Sequence, residues 1–203
     1  TAATNNSNIL ILKYLQKNYL NTNLPNFENM DGIYLPKGYG QIHSALLYYK
    51  TKSLLFSIEP QFQISNAFNY NLSPKEGKFS KLNDVPISPE NKPNLLDSKN
   101  INISFEASNL RFGLSNINKW WGPGVHNSLV MSTNSKGIPK IYFQIANYIN
   151  DHSFFIFNHY TSMSIKNEVG ENFYITSSSL EYSRNEYSIG VIRQILSGSR
   201  NSI

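Results

Sequence analysis

The stretch SLLFSIEPQFQIS, residues 53–65, decides the fold, because apolar side chains recur in it at every second position. One parity set is apolar and consists of Leu54, Phe56, Ile58, Pro60, Phe62 and Ile64. The other set is largely polar and consists of Leu55, Ser57, Glu59, Gln61, Gln63 and Ser65. A period of two is typical of a β-strand whose two faces meet different surroundings. The stretch therefore predicts a strand with one apolar and one polar face.

The same periodicity predicts seven further strands. Residues 101–108 carry apolar side chains at alternate positions, and the alternation reverses its parity from Leu110 onward. A reversal at Ser108-Asn109 indicates a tight turn between two paired strands. Alternating stretches also predict strands at 41–50, 140–149, 153–163, 173–183 and 187–196, and residues 8–20 are a candidate ninth strand. The chain is therefore predicted to be all-β.

Short and long connections alternate along these strands. The short ones are Thr51-Lys52, Ser108-Asn109, Asn150-Asp151-His152 and Arg184-Asn185-Glu186, and the long ones are 66–99, 118–139 and 164–172. An antiparallel transmembrane β-barrel of the outer membrane explains this alternation, because short periplasmic turns lie at one end and longer extracellular loops at the other. A soluble barrel or sandwich can also produce it, since loop lengths vary. We prefer the membrane barrel, with the apolar set against lipid and the polar set inside.

The composition of the chain excludes several classes of structure and ligand. The chain has 203 residues, a net charge of +5 and 15% charged residues, whereas asparagine occurs 28 times. A mean hydropathy of -0.37 and the lack of a long apolar run exclude a transmembrane helix but not a transmembrane barrel. The lack of cysteine excludes disulfides and cysteine-ligated metals. The positive balance suits an anionic lipid or an acidic glycan, and we do not expect nucleic acid, because the basic residues are dispersed.

Catalytic groups are sparse, so we predict no enzymatic activity, metal or cofactor. The four histidines, at positions 43, 126, 152 and 159, lie neither at a helical spacing nor beside a carboxylate in a known catalytic order. Glu59 and Glu106 fall on the polar faces of predicted strands, where two carboxylates can perform acid–base chemistry. The alternative, which we prefer, is that they line a polar lumen and pair with a neighbour such as Arg111.

Both tryptophans of the chain lie side by side in Asn118-Lys119-Trp120-Trp121-Gly122-Pro123-Gly124. Pro123 fits the second position of a type II turn and Gly124 the third, which needs a positive φ, while Gly122 allows close passage of the backbone. Such a turn would hold both indoles in fixed positions. They form either a wedge that plugs the barrel or a platform on which sugar rings stack. The predicted glycan ligands are Trp120, Trp121, Asn118, Lys119, His126 and Asn127.

Residues 118–139 resemble the capsule assembly protein Wzi family. In that family a tryptophan-rich Trp-Gly-Pro-Gly stretch is followed by a hydrophobic segment, serine and asparagine, and a proline. In this sequence WWGPG is followed by SLVMSTN at 128–134 and by Gly-Ile-Pro at 137–139. Further similar segments lie at 21–25, 29–32, 36–39 and 59–62. The resemblance covers most of residues 20–150, and the composition suggests a Bacteroidetes member.

The resemblance implies a non-catalytic, lectin-like outer-membrane barrel that helps to hold capsular polysaccharide on the cell surface. Family barrels are longer than 203 residues. It therefore also implies that the single domain 1–203 supplies eight or nine strands of a larger wall, because open edges are not tolerated in lipid. Two other functions stay open, namely a diffusion channel and a structural subunit that binds other outer-membrane proteins.

One residue departs from the apolar pattern. In the strand predicted at 187–196, Arg193 shares a parity set with Val191 and Ile195. Near a strand end an arginine can extend its guanidinium to the membrane interface, whereas at mid-depth it costs roughly 2–4 kcal/mol. Arg193 lies late in a strand that is predicted to run towards the extracellular side, so we expect its guanidinium at the membrane interface.

Overall fold

The structure is a computed structural model that describes residues 8–22, 33, 35–67, 94–118, 137–166 and 172–198. Within these residues it is all-β, and none of them forms a helix long and apolar enough to span a membrane. The strands are β1 (Ile9–Asn21), β2 (Gly38–Lys50), β3 (Leu54–Ala67), β4 (Asn94–Ala107), β5 (Leu110–Ser115), β6 (Lys140–Asn150), β7 (Ser153–Ser162), β8 (Ile165–Lys166), β9 (Asn172–Arg184) and β10 (Tyr187–Gly198).

The strands form one antiparallel sheet in the order β1-β2-β3-β4-β5-β6-β7-β9-β10, and the short β8 pairs with β9 beside this path. Each long strand thus pairs with the long strands that precede and follow it in the sequence. Every strand predicted from the periodicity is present, including the candidate ninth as β1, and β8 is an addition. Among the described residues no pairing joins β1 to β10, so this sheet is open.

The predicted tight turns are confirmed by the register. Ala107 pairs with Leu110, so the turn between β4 and β5 consists of Ser108 and Asn109 alone. Arg184 likewise pairs with Tyr187 across the turn between β9 and β10. Ser108 has a φ of 55° and Asn185 a φ of 51°. These left-handed conformations reverse the chain within two residues.

β3 and β4 extend into the range that the sequence predicts as a loop, 66–99. β3 ends at Ala67 and β4 begins at Asn94. A β-bulge in β4 explains why its first residues depart from the sequence pattern. The register shifts between Ser57 and Glu59, and the facing Asn100 has a φ of 50°. The extra residue reverses the alternation, so residues 94–99 do not continue the parity of 101–108.

Burial in the sheet is the reverse of that in a sheet covering an apolar core. In β3, Gln61 and Gln63 are 4% and 2% exposed, whereas Phe62 and Ile64 are 40% and 44% exposed. In β4 the buried residues are Asn102 and Ser104, and the exposed residues are Ile103 and Phe105. The two parity sets of residues 53–65 therefore lie on opposite sides of the sheet. We call the side of Gln61 the polar face and the side of Phe62 the apolar face.

Charged side chains follow the same division. In the described strands other than β8, every aspartate, glutamate and lysine lies on the polar face by register. These residues are Lys13, Lys17, Lys50, Glu59, Asp97, Lys99, Glu106, Lys140 and Glu181. The arginines differ, because Arg111 is on the polar face, whereas Arg193 is on the apolar face, as is Arg184 at the end of β9 beside the short turn. The apolar face is therefore almost free of charge.

Close packing on the polar face depends on Gly40. Tyr19 of β1 is the cross-strand neighbour of Gly40 in β2, and its hydroxyl accepts a hydrogen bond from Gln63 Nε2 in β3 at 3.1 Å. The ring crosses the glycine to reach β3, since a Cβ at position 40 would lie 2.4 Å from ring atoms of Tyr19. An aromatic ring over a glycine stabilises strand pairing at that point.

We expect Gly40→Ala to destabilise the protein by roughly 1–3 kcal/mol, because the added methyl group displaces the Tyr19 ring and overpacks the site. The midpoint of denaturant unfolding measures the effect. Gly190→Ala is the control, since the atom nearest to a Cβ there is 3.3 Å away. Combining Gly40→Ala with Tyr19→Ala should make the two effects non-additive, and additive losses would contradict the packing of the ring over Gly40.

Candidate functional site

The structure describes the base of the predicted glycan site. We call residues 118–139 the tryptophan loop, which follows β5 and precedes β6. Asn118 is described and is half-buried. The other predicted site residues lie outside the described residues, namely Lys119, Trp120, Trp121, Gly122, Pro123, Gly124, His126 and Asn127. The platform and the plug therefore both stay predictions, and the site can be built upward only from the strand ends.

Lys140, the first residue of β6, joins the two sides of this base. The residue is 3% exposed, and its Nζ donates to the carbonyl oxygens of Ile117 at 2.6 Å and Ile138 at 3.4 Å. Ile117 immediately precedes the loop and Ile138 lies near its end, so one ammonium group holds both ends together. The Tyr160 ring centroid is 5.6 Å from Nζ and adds a cation–π contact.

Asn116 fixes the same base to β4. Its backbone N–H donates to the Ile101 carbonyl at 2.9 Å, and its Oδ1 accepts from the Ile101 N–H at 2.8 Å. Its Nδ2 donates to the Ser98 carbonyl at 3.2 Å. Gly137 packs directly on Asn116, since a Cβ at position 137 would lie 1.7 Å from the Asn116 carbonyl oxygen. Only glycine fits at position 137, which lies in the Gly-Ile-Pro motif.

A cavity of about 310 Å³ lies beneath this base on the polar face. Its walls come from β2 through β7, so the sheet curls around it. A flat sheet would instead separate β2 from β7 by roughly 24 Å, which is five steps of about 4.8 Å. The polar groups that line the cavity include Tyr48, Ser57, Asn102, Arg111, Lys140 and Tyr142.

Hydrogen bonds between side chains continue across the cavity wall. Tyr142 in β6 donates its hydroxyl to Asn102 Oδ1 at 3.0 Å, and Asn102 Nδ2 donates to Ser104 Oγ at 3.2 Å. Further along β6, Gln144 Nε2 donates to Asn158 Oδ1 at 2.8 Å. Amide and hydroxyl groups of this kind can also bind sugar hydroxyls, because each offers both a donor and an acceptor.

The two carboxylates considered for acid–base chemistry are both engaged by neighbours. Glu106 forms ion pairs with Arg111 and with Lys50, the latter at 3.4 Å. Glu59 accepts hydrogen bonds from Ser44 Oγ at 2.7 Å and from Asn100 Nδ2 at 2.5 Å. The predicted pairing with Arg111 is thus observed for Glu106. Of the described residues that line the cavity, Arg111 and Lys140 are cationic and none is acidic.

The described histidines lie apart from one another. Nδ1 of His43 lies 2.6 Å from the Tyr14 hydroxyl, and Nδ1 of His159 lies 2.8 Å from Ser178 Oγ. His152 occupies the turn between β6 and β7. No three histidine, aspartate or glutamate side chains of the described residues converge in a way that would hold a metal ion.

Sequence reasoning did not identify Lys140, Asn116 and Gly137 as parts of the site. The available signal is that Asn116 and Lys140 flank the tryptophan loop, that Gly137 lies near its end in the Gly-Ile-Pro motif, and that Lys140 has the parity of the polar face. No protein-family model, curated protein or solved structure matches the chain at a significant level. The likeness to the Wzi family therefore rests on the motifs quoted above.

We expect Lys140→Met to loosen the tryptophan loop, because methionine retains the side-chain length but cannot donate to the two carbonyl groups. Trypsin should then cleave after Lys119 and Lys136 about tenfold faster, as the loss of one to two hydrogen bonds from a charged donor implies. Mass spectrometry of timed digests measures this. Lys13→Met, in an exposed strand, is the control. Equal cleavage rates for all three proteins would show that Lys140 does not hold the loop.

Proposed function

We propose that the chain forms the wall of an outer-membrane β-barrel that binds an acidic surface polysaccharide and retains it at the cell without chemical turnover. The observation that carries the membrane part is the inverted burial of the sheet. Gln63 is 2% exposed and Ser104 0% exposed on the polar face, whereas the neighbouring residues of the same strands on the apolar face are about half exposed. Lipid is the solvent that suits this distribution, because outer-membrane barrels are apolar outside and polar inside.

The apolar face offers a large continuous surface to lipid. Its exposed side chains include Ile103, Phe105, Phe112, Leu114, Ile141, Leu180, Ile189, Val191 and Ile195, each 41–72% exposed. These residues come from β4, β5, β6, β9 and β10, and the half-buried Phe155 and Phe157 of β7 lie between them, so they form a band rather than scattered positions. A soluble monomer rarely exposes an apolar patch of more than a few hundred Å².

The band has polar limits at both ends, as expected of a membrane-embedded wall. At the short-turn end the tyrosines Tyr182 and Tyr187 are 38% and 81% exposed. Tyrosine is enriched where membrane barrels meet the interface. At the long-loop end of β1 and β2 the Tyr39 hydroxyl donates to Asn18 Oδ1 at 3.3 Å, and Gln41 Nε2 donates to that hydroxyl at 2.9 Å. Side chains suited to a membrane interface therefore lie at both ends of the band, and we place the long loops outside the cell because the extracellular loops of such barrels are the longer ones.

The number and direction of the strands determine how the barrel can close. Successive strands on the path are antiparallel and the path has nine of them, so β1 and β10 run in the same direction. Direct pairing of these edges would be parallel. Bacterial outer-membrane barrels are antiparallel with an even strand number. Closure therefore takes an odd number of further strands between β10 and β1.

The polysaccharide part of the proposal rests on the tryptophan loop and its base. Two adjacent indoles offer stacking surfaces to sugar rings. Amide and hydroxyl groups such as Asn102 and Tyr142 line the cavity beneath the loop. An acidic glycan fits this combination, because its hydroxyls can bind the amides and its carboxylates are attracted by the positive net charge of the chain. The resemblance to the Wzi family points to the same class of ligand.

A structural subunit of a larger outer-membrane complex is the second candidate, and the exposed edge strand favours it. β1 exposes apolar side chains on both faces, with Leu12 72% exposed on the apolar face and Ile11 47% exposed on the polar face. Among the described residues the outer edge of β1 has no partner strand, and such an edge readily pairs with another strand. Stable co-purification with other outer-membrane proteins would favour this candidate.

We expect Ile103→Arg to reduce the amount of protein recovered in the outer membrane, because Ile103 is exposed on the apolar face and lies four residues from Ala107, where β4 ends at the short turn. An arginine on the lipid-facing side costs roughly 2–4 kcal/mol at mid-depth. Gln194→Arg is the matched control, because Gln194 lies on the polar face of β10 and is exposed. Membrane fractionation with a heat-modifiability assay measures insertion. Equal recovery of both variants would contradict a lipid-facing apolar surface.

We expect the double variant Trp120→Ala, Trp121→Ala to release polysaccharide from cells while the protein level in the outer membrane stays unchanged. Losing two aromatic contacts of about 0.5–1.5 kcal/mol each should lower glycan retention several-fold. Cell-bound and released polysaccharide are quantified against the amount of protein. A plug role predicts a lower protein level or a leakier barrel, and normal expression with full retention would refute the lectin role of the loop.

A further inference from the structure

A row of polar side chains interrupts the apolar face on β7, β9 and β10. In this row His159 pairs with Ser178, and Ser178 pairs with Arg193. Nδ1 of His159 lies 2.8 Å from Ser178 Oγ, and the imidazole packs against the Phe143 ring at 5.2 Å between centroids. Cross-strand neighbours lie about 5 Å apart between Cα atoms. The imidazole, hydroxyl and guanidinium therefore belong to one continuous polar row.

Arg193 has no counter-charge among the described residues. Its side chain is exposed and forms no hydrogen bond or ion pair with them. The apolar face of the strands other than β8 carries no aspartate or glutamate, so no carboxylate approaches it from that surface. Its surroundings are Val191, Ile195 and Leu180, which are 70%, 41% and 46% exposed. A guanidinium in apolar surroundings requires an anionic partner.

The height of Arg193 in the sheet indicates where that partner comes from. Arg193 lies six residues after Tyr187, which begins β10 at the short turn. Six residues span about 20 Å along the strand, and a tilt of about 40° reduces this to roughly 15 Å along the membrane normal. An apolar band about 25 Å tall leaves roughly 10 Å to its upper boundary. An extended arginine covers most of this gap, so the guanidinium reaches the headgroup region on the long-loop side.

We propose that Arg193 anchors an external binding site for the phosphate headgroup of an anionic lipid in the leaflet on the long-loop side, with Ser178 and His159 forming the polar surface below the phosphate. This inference rests on the membrane-barrel part of the proposed function. A guanidinium binds phosphate oxygens bidentately, and the serine hydroxyl and the imidazole keep the surface below it polar. The acyl chains of the lipid lie along the exposed Val191 and Leu180, towards the short turns.

A lipid fits this surface better than a protein carboxylate. The carboxylate of a neighbouring protein would have to enter a surface of exposed apolar side chains, which requires a matching apolar patch around it. A phospholipid or phosphorylated glycolipid brings both parts in one molecule. The next row towards the loops is also polar, with Thr161 Oγ1 and Thr176 Oγ1 3.4 Å apart. The polar groups therefore continue in the direction in which the headgroup extends.

Native mass spectrometry of the full chain in detergent micelles tests the site. The probes are hexa-acylated lipid A with two phosphates and the same lipid A after removal of its phosphates. We expect the unmodified protein to retain the phosphorylated form about tenfold better. Arg193→Gln should abolish this preference, and Arg193→Lys should retain part of it. Arg184→Gln, at the opposite end of the neighbouring strand, is the matched control and should behave like the unmodified protein.

Two further measurements separate the alternatives. Outer-membrane recovery of Arg193→Gln should equal that of the unmodified protein, so failure of membrane insertion is recognised independently of lipid binding. Inorganic phosphate should not displace the lipid, because the acyl chains contribute to binding. Equal retention of both lipid forms, an Arg193→Gln variant that keeps the preference, displacement by inorganic phosphate, or Arg193-dependent capture of a protein instead of lipid would each overturn the proposal.

Discussion

Hydrogen bonding among side chains on the polar face is the constraint on which the rest of the structure depends. Buried polar groups lose their hydration and must find partners within the protein. Tyr142 and Asn102 satisfy each other across the cavity, and Gln63 holds the Tyr19 hydroxyl. Each of these bonds crosses between strands, so the register that the backbone sets is also the one that the side chains require. A shift by one residue would turn both sets to the wrong face.

The bulge at Asn100 shows how this constraint shapes the site. Asn100 donates to Glu59, and its carbonyl accepts from Ser57 Oγ at 2.6 Å. Because the alternation reverses at the bulge, Asp97 and Lys99 in the first half of β4 also lie on the polar face. The same stretch presents the Ser98 carbonyl to Asn116. The irregularity in β4 thus contributes directly to the base of the tryptophan loop.

Strand positions and tight turns could be predicted because both depend on local sequence. A period of two places Phe62 and Gln63 on opposite faces whatever the rest of the fold does. Residues 94–99 could not be predicted, because the bulge at Asn100 reverses the alternation, and Asn100 bonds to Glu59 in another strand. The role of Lys140 could not be predicted from the sequence either. Its parity places it on the polar face, but its carbonyl partners flank a loop and have no side-chain signature.

Lys140 and Arg193 illustrate two opposite ways in which a cation can be stabilised in this fold. Lys140 is buried, and the chain itself supplies its partners through two carbonyl oxygens and the Tyr160 ring. Such a residue holds structure and does not need a ligand. Arg193 stands on the apolar face, where the described strands offer it no carboxylate. A charge that the protein does not neutralise is costly in lipid unless it serves binding. This difference is why we assign anchoring of the loop to Lys140 and recognition of an external anion to Arg193.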